Sequence, residues 1–330
     1  MTSPAGGAFG AGQIVSFDSA TGVGTTIYSF TGNEDGGTPT GAAVKLHGKL
    51  YGVTASGGAY GLGTVYMVNP ADGRQMTLHG FAGGTDGASP AGPLVFFNGL
   101  LYGTTLAGGD TTCSIGYNGC GIIFSIDPVS GSETVLHAFQ GTPADGAGPR
   151  AALIALNGEL YGTASGGGTD SSGVIFKFDP ASNVENVVFD FTGNNGAGPG
   201  GPLLEAEGLL YGTTVFGGTH CCGTLFSFDP ATAAETVLHT FGRAKGDEPT
   251  AGLTRIGKRL YGATDDGGTA DYGSLFGFDT ATNTIKFLHQ FSGADGGFAF
   301  GTPVNFQGTI YGTTSSGGTQ SIGTIFAIQP

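Results

Sequence analysis

Tryptophan is absent from this 330-residue chain, methionine occurs 3 times, cysteine 4 times, and 11 basic residues face 25 acidic ones. Each scarcity excludes something. Without Trp the strongest flat platform for stacking on sugar rings is missing. Four cysteines are too few for a disulfide scaffold. A net charge of −14 repels polyanions, and no basic patch or RNA-binding signature offsets it, so nucleic acid is excluded as a partner. No apolar run approaches the ~20 residues a membrane-spanning helix needs, and no stretch carries helical periodicity. Gly-x-Ser-x-Gly, His-Glu-x-x-His and phosphate-loop motifs are all missing, which leaves nucleophilic hydrolase, zinc-protease and nucleotide chemistries without positive support. The opening Met1-Thr2-Ser3-Pro4-Ala5 lacks the basic and apolar regions of a signal peptide, and because the chain starts partway through a repeat, any leader would lie outside this sequence.

What is present is glycine, 67 residues of it, and a phrase repeated six times. Leu50-Tyr51-Gly52 returns at Leu101-Tyr102-Gly103, Leu160-Tyr161-Gly162, Leu210-Tyr211-Gly212, Leu260-Tyr261-Gly262 and Ile310-Tyr311-Gly312. A period of about fifty residues marks a repeated supersecondary unit that cannot bury its apolar face alone. One unit reads as four short strands: Ala151 to Leu156, Leu160 to Ala164, Val174 to Phe178 and Val187 to Phe191. Asn157-Gly158 and Asp179-Pro180 punctuate the first and last strand pairs, a strong hairpin signal. Four antiparallel strands per fifty residues is the pattern of a β-propeller blade, with kelch repeats nearest in length.

Counting strand types gives six first, six second, seven third and six fourth strands. The expected fold is therefore all-β: a single domain over residues 1–330 forming a six-bladed β-propeller of four-stranded blades. Its ring is closed by pairing N- and C-terminal strands, which would remove an open sheet edge. The surplus third strand, Ile14–Phe17 or Ile325–Ile328, leaves seven blades as the alternative.

Leu-Tyr-Gly-Thr-Thr, the double glycine, Gly-Thr-x-Phe, Asp-Pro-Ala-Thr and Val-Leu-His-x-Phe together resemble the GloVer tandem repeats of bacterial choice-of-anchor proteins, over nearly the whole chain. The resemblance implies export and a propeller-like fold. It brings no catalytic residues, because the family is defined by a repeat and not by a reaction.

Tight turns gather at one end of the strands and long, variable loops at the other, so binding groups are sought on the long-loop face. The loops crossing between blades carry Asp35, Asp86, Asp145, Asn195, Lys245 and Asp295 at equivalent positions. They read first as turn-stabilising residues and second as a Ca²⁺-binding ring. His79, His137, His239 and His289 share one fourth-strand position and read as packing or edge hydrogen-bonding residues. His220 alone occupies a long loop without counterparts. It precedes Cys221-Cys222, which reads as a vicinal disulfide, as free thiols, or with His220 as part of a Zn²⁺ site. Cys113 and Cys120 lie in the longest insertion and could close a disulfide loop with Tyr117 at its tip. Tyr60, Phe216 and Tyr272, with Tyr117 and Phe9, are candidate stacking aromatics. Arg150 could clamp a carboxylate or sulfate. Glu205 and Arg255, at one position in neighbouring blades, suggest an ion pair.

Asp247, Glu248, Asp265, Asp266 and Asp271 concentrate acid on adjacent long loops. Two of them could serve as the acid and base of glycoside hydrolysis. The first expectation is an exported monomer, extracellular or at the cell surface, that binds a small molecule or glycan. The second is a hydrolase or lyase acting on a saccharide or ester, with Asp265, Asp266, Asp271 and His220 as catalytic candidates. A structural surface module is the third. No resident cofactor is expected, with Ca²⁺ and Zn²⁺ as the candidates if one exists.

Overall fold

The computed structural model describes residues 2–113 and 118–330. Seven small antiparallel sheets follow one another in chain order, making an all-β propeller of seven blades. Blade 1 holds Thr2–Ser3, Gln13–Asp18 and Val23–Ser29. Blade 2 holds Gly37–Leu46, Lys49–Ser56, Thr64–Val68 and Gln75–Gly80. Blade 3 holds Ala88–Phe97, Leu100–Ala107, Ile122–Ile126 and Glu133–Ala138. In blades 4 and 5 the first strand is broken in two: Gly146–Pro149 with Ile154–Leu156, and Ala197–Pro199 with Leu204–Ala206. Glu159–Gly167, Val174–Asp179 and Val184–Asp190 complete blade 4. Leu209–Phe216, Thr224–Asp229 and Ala234–Thr240 complete blade 5. Blade 6 is Thr254–Ile256, Arg259–Thr264, Ser274–Asp279 and Thr284–Gln290; blade 7 is Val304–Phe306, Thr309–Thr313 and Ile325–Ile328.

The seventh sheet corrects the six-blade expectation in favour of its alternative. Among the described residues the terminal strands do not merge: Thr2–Ser3 pairs with Gln13–Asp18 at one end, and Ile325–Ile328 pairs with Thr309–Thr313 at the other. Both surplus third strands thus find partners in their own three-stranded sheet. By contacts the chain divides into two compact units, residues 1–161 with 177–186 and residues 162–176 with 187–330.

The repeated phrases have packing causes. The glycine of Leu-Tyr-Gly lies under a third-strand ring of its own blade: a Cβ at Gly103 would sit 2.6 Å from the Phe124 ring, and one at Gly262 2.6 Å from Phe276. Only glycine leaves that space. Phe81 and Phe241, which close fourth strands, are fully buried and meet the third-strand aromatic of the next blade, Phe124 at 5.2 Å and Phe276 at 5.0 Å. This ring-on-ring contact joins neighbouring blades within each unit.

The turns follow equally local rules. Asn98-Gly99 and Asn157-Gly158 both have positive φ at each residue, as a type I′ hairpin turn requires. In Asp-Pro-Ala-Thr, the Ala231 N–H donates to Asp229 Oδ1 and the Thr232 hydroxyl to Oδ2, which holds this carboxyl below the usual range. On the opposite end, a residue where the crossing enters the next blade is left-handed and ties back to the preceding blade. Ser89 donates its N–H to Leu62 O, Glu248 to Cys222 O and Phe298 to Tyr272 O.

Candidate functional site

The acidic loops of blades 5 and 6 converge. Asp247, from the crossing loop, and Asp266, from the loop after Arg259–Thr264, exchange backbone hydrogen bonds at 2.9 and 3.2 Å. The Asp265 N–H donates to Glu248 O at 3.0 Å, and Glu248 in turn bonds Cys222. A two-residue antiparallel bridge therefore brings four carboxyl groups together with the Cys221-Cys222 loop. Arg243 is the nearest cation, with Nε 3.4 Å from Asp247 Oδ2.

Burial and crowding decide the protonation of these acids. Asp265 is pushed up to about 7 by desolvation first, then by the charges of Asp266, Glu248 and Asp247. Burial raises Asp247, with Asp266 adding to the rise and Arg243 opposing it. Burial also raises Glu248, followed by the Asp247 charge. The exposed Arg243 is held more firmly protonated, chiefly by Asp271 and then by Asp247. Asp247 is 4% exposed, and neither its Oδ1 nor that of Asp265 has a hydrogen-bond partner.

A second kind of polar cluster lies between the edge strands of consecutive blades in the first unit. His137 ends the fourth strand of blade 3, and its Nε2 is 3.2 Å from Asp145 Oδ1 and 3.9 Å from Glu185 Oε2. His79, Asp86 and Glu133 repeat this arrangement one blade earlier, with His79 Nε2 3.2 Å from Asp86 Oδ1. Burial, then the neighbouring Asp145 charge, pushes Glu185 up to about 7; burial, then Asp86, does the same for Glu133. Asp86 also lines an open cleft of about 440 Å³ with Thr85, Gly109, Asp110, Val135 and Ala138.

The Gloeobacter/Verrucomicrobia repeat profile matches residues 1–114 and 109–326. The chain belongs to this repeat family. No curated protein matches the chain. Among solved structures, an oligogalacturonate lyase in complex with manganese shares 13% identity, covering 97% of this chain and 83% of its own, with a TM-score of 0.62. A nidogen/laminin complex shares 14% identity over 86% of this chain and 91% of that one, with a TM-score of 0.54. At such identities the likeness is one of fold alone.

Within the Gloeobacter/Verrucomicrobia repeat, the expected site residues disperse. Asp266 and Asp271 lie near Arg243 and Asp265 beside Asp266, with Asp271 exposed at the loop tip. His220 is exposed, its Nδ1 3.0 Å from the Thr219 hydroxyl. Cys221 and Cys222 stand as free thiols with sulfurs 2.7 Å apart. A trans peptide holds adjacent Cα atoms ~3.8 Å apart, below the ~4.4–6.8 Å that disulfides favour, and Cys222 Sγ donates to His220 O instead. Cys113 and Cys120 are disulfide-bonded, Cα atoms 5.6 Å apart, while Tyr117 lies outside the described residues. Tyr60 and Phe216 are exposed. Tyr272 is half-buried against Phe298 and lies flush on Gly293, where a Cβ would meet its ring at 2.7 Å. That packing denies it an open stacking face. Arg150 is exposed in the other unit from the acid cluster.

One further reading changes, and two keep their first form. Arg255 reaches Glu207 at 3.6 Å and not Glu205, because Glu205 Oε1 accepts the Gly208 N–H of its own turn. The crossing-loop residues act locally: Asp35 accepts the Thr31 N–H, Asp86 that of Ala82, Asp145 that of Gln140 and Asp295 that of Ser292. The strand histidines do pack edge-on against Phe81, Phe139, Phe241 and Phe291. What sequence reasoning missed is the glutamates placed beside two of them, although Glu133, Glu185 and Glu235 recur at one fourth-strand position and were the available signal.

Proposed function

We propose that this chain is an exported propeller that binds an extracellular glycan through the acidic loops of blades 5 and 6. One observation carries the reading: two carboxylate oxygens, Asp247 Oδ1 and Asp265 Oδ1, are buried without a donor. An unpaired buried acceptor costs about 1–3 kcal/mol. Sugar hydroxyls are donors of suitable size, and the neighbouring Arg243 could donate to a ring or glycosidic oxygen. Titrating the full-length protein calorimetrically against an oligosaccharide panel tests the reading. Binding to at least one member, weakened tenfold or more by Asp265→Asn and by Asp247→Asn but unchanged by Asp72→Asn on a turn of the first unit, supports it. No binding across the panel sinks it.

A hydrolase or lyase at the same loops is the second reading, favoured by Asp265. A carboxyl pushed up to about 7 by burial and by the neighbouring Asp266 is suited to act as a general acid. Turnover of chromogenic saccharides, abolished in Asp265→Asn with binding retained, would favour this reading over simple binding.

A further inference from the structure

We propose that His137, Asp145 and Glu185 form a binding site for a divalent first-row transition-metal ion, and that His79, Asp86 and Glu133 repeat it one blade earlier. In each set the imidazole nitrogen and one oxygen from each carboxylate all lie within 4.8 Å of one another. Ligand atoms bonded to a common zinc at ~2.0–2.2 Å stand roughly 3–4 Å apart. His137 Nε2 stands 3.2 Å from Asp145 Oδ1, in a hydrogen bond that a bound ion would replace, and 3.9 Å from Glu185 Oε2, both within that range.

The state of the glutamate gives an independent reason. The Glu185 side chain is 4% exposed, and its Oε1 has no hydrogen-bond partner. A buried carboxylate left so is expensive unless a cation or donor meets it. The earlier set shows the same deficiency: Glu133 Oε1 and His79 Nε2 both lack a hydrogen bond, although that nitrogen is only 3.2 Å from Asp86 Oδ1. Two groups that close without aligning on each other are oriented as if toward a third body.

Donor chemistry selects the ion class. One imidazole with two carboxylates suits zinc, manganese or iron, and their two negative charges balance a dication. Calcium prefers six to eight oxygens. The aspartates are held in place by their own loops, Asp145 by the Gln140 and Gly146 N–H groups and Asp86 by that of Ala82. Three protein ligands leave a coordination position open. At the earlier site Asp86 borders the 440 Å³ cleft, so an outside ligand can reach that position, whereas buried Asp145 and Glu185 enclose the later one.

The repeat supplies its own controls. The next equivalent positions are Phe189, Asn195 and Glu235, then His239, Lys245 and Ile285, and neither set keeps all three donors. The full-length protein, stripped with a chelator and titrated calorimetrically with Zn²⁺, should bind two equivalents. Glu185→Gln and Glu133→Gln should each remove one, while Glu235→Gln should leave both. If Glu185→Gln fails to fold, Glu133→Gln at the more open site decides. Zinc held by Cys221 and Cys222 would survive both glutamine changes. A stoichiometry unaltered by those changes, or zinc binding only at millimolar concentration, overturns the proposal.

Discussion

In the first unit, a histidine at the end of a fourth strand meets an aspartate from the crossing loop and a glutamate from the next blade, and this happens twice. In the second unit the same positions hold Phe189, Asn195 and Glu235, then His239, Lys245 and Ile285. The backbone that presents them is the same repeat. Where phenylalanine replaces histidine, Phe189 packs on Phe191 and Phe228 at 5.1 and 6.2 Å. Where lysine replaces aspartate, its ammonium sits 5.9 Å from the Phe287 ring, and His239 is pushed down by burial first and by Lys245 next. The second unit collects its acids instead in the loops around Asp265. One scaffold thus carries two unlike polar sites, and the choice is made by three side chains per junction, not by the fold.

The comparison can be broken most forcefully through what the units share. Phe124→Ala in the first unit and Phe276→Ala in the second each remove a fully buried ring and should cost about 3–5 kcal/mol in denaturant unfolding. Unequal costs would show that the interlocking rings do not serve both units alike. Gly262→Ala drives a Cβ against the Phe276 ring and should cost about 1–3 kcal/mol by the same measurement. A neutral result would mean that the ring yields readily.

Acid titration sharpens the contrast. Glu133 and Glu185 in the first unit, and Glu235 and Asp265 in the second, titrate near 7 when folded, against 4.5 for glutamate and 3.8 for aspartate as ordinary values. The folded chain holds these protons more tightly than the unfolded chain. Stability should therefore be highest below about pH 4, as far as these groups decide it, and fall as pH rises through 7. Melting temperature measured across that range in metal-free buffer should decline less steeply in Glu185→Gln and Asp265→Asn. A profile unchanged in both variants would contradict the assigned burial. The smallest effect belongs to the surface: Arg259 Nε and Asp279 Oδ2 are 3.4 Å apart in an exposed pair, and Arg259→Ala should cost under about 1 kcal/mol.

Much of the fold was legible because each blade repeats its own instructions: Tyr-Gly under a ring, Asn-Gly at the hairpin, Asp-Pro at the turn. The blade number was harder to read. Blades 1 and 7 each have three strands, so strand counting merged two incomplete sheets into one. The acid cluster was partly visible as neighbouring loops, but not the backbone bridge of Asp247 with Asp266 that assembles it. The histidine sets were hidden for another reason. His137 and Glu185 belong to different blades 48 positions apart, and each looks like ordinary strand patterning until edge strands are placed side by side.

The most direct test is a zinc-soaked crystal measured at the zinc absorption edge. The account predicts anomalous peaks between His137, Asp145 and Glu185 and between His79, Asp86 and Glu133, with none beside Phe189 and Asn195 or His239 and Lys245. Peaks at the substituted junctions, or none at the two complete ones, would contradict it.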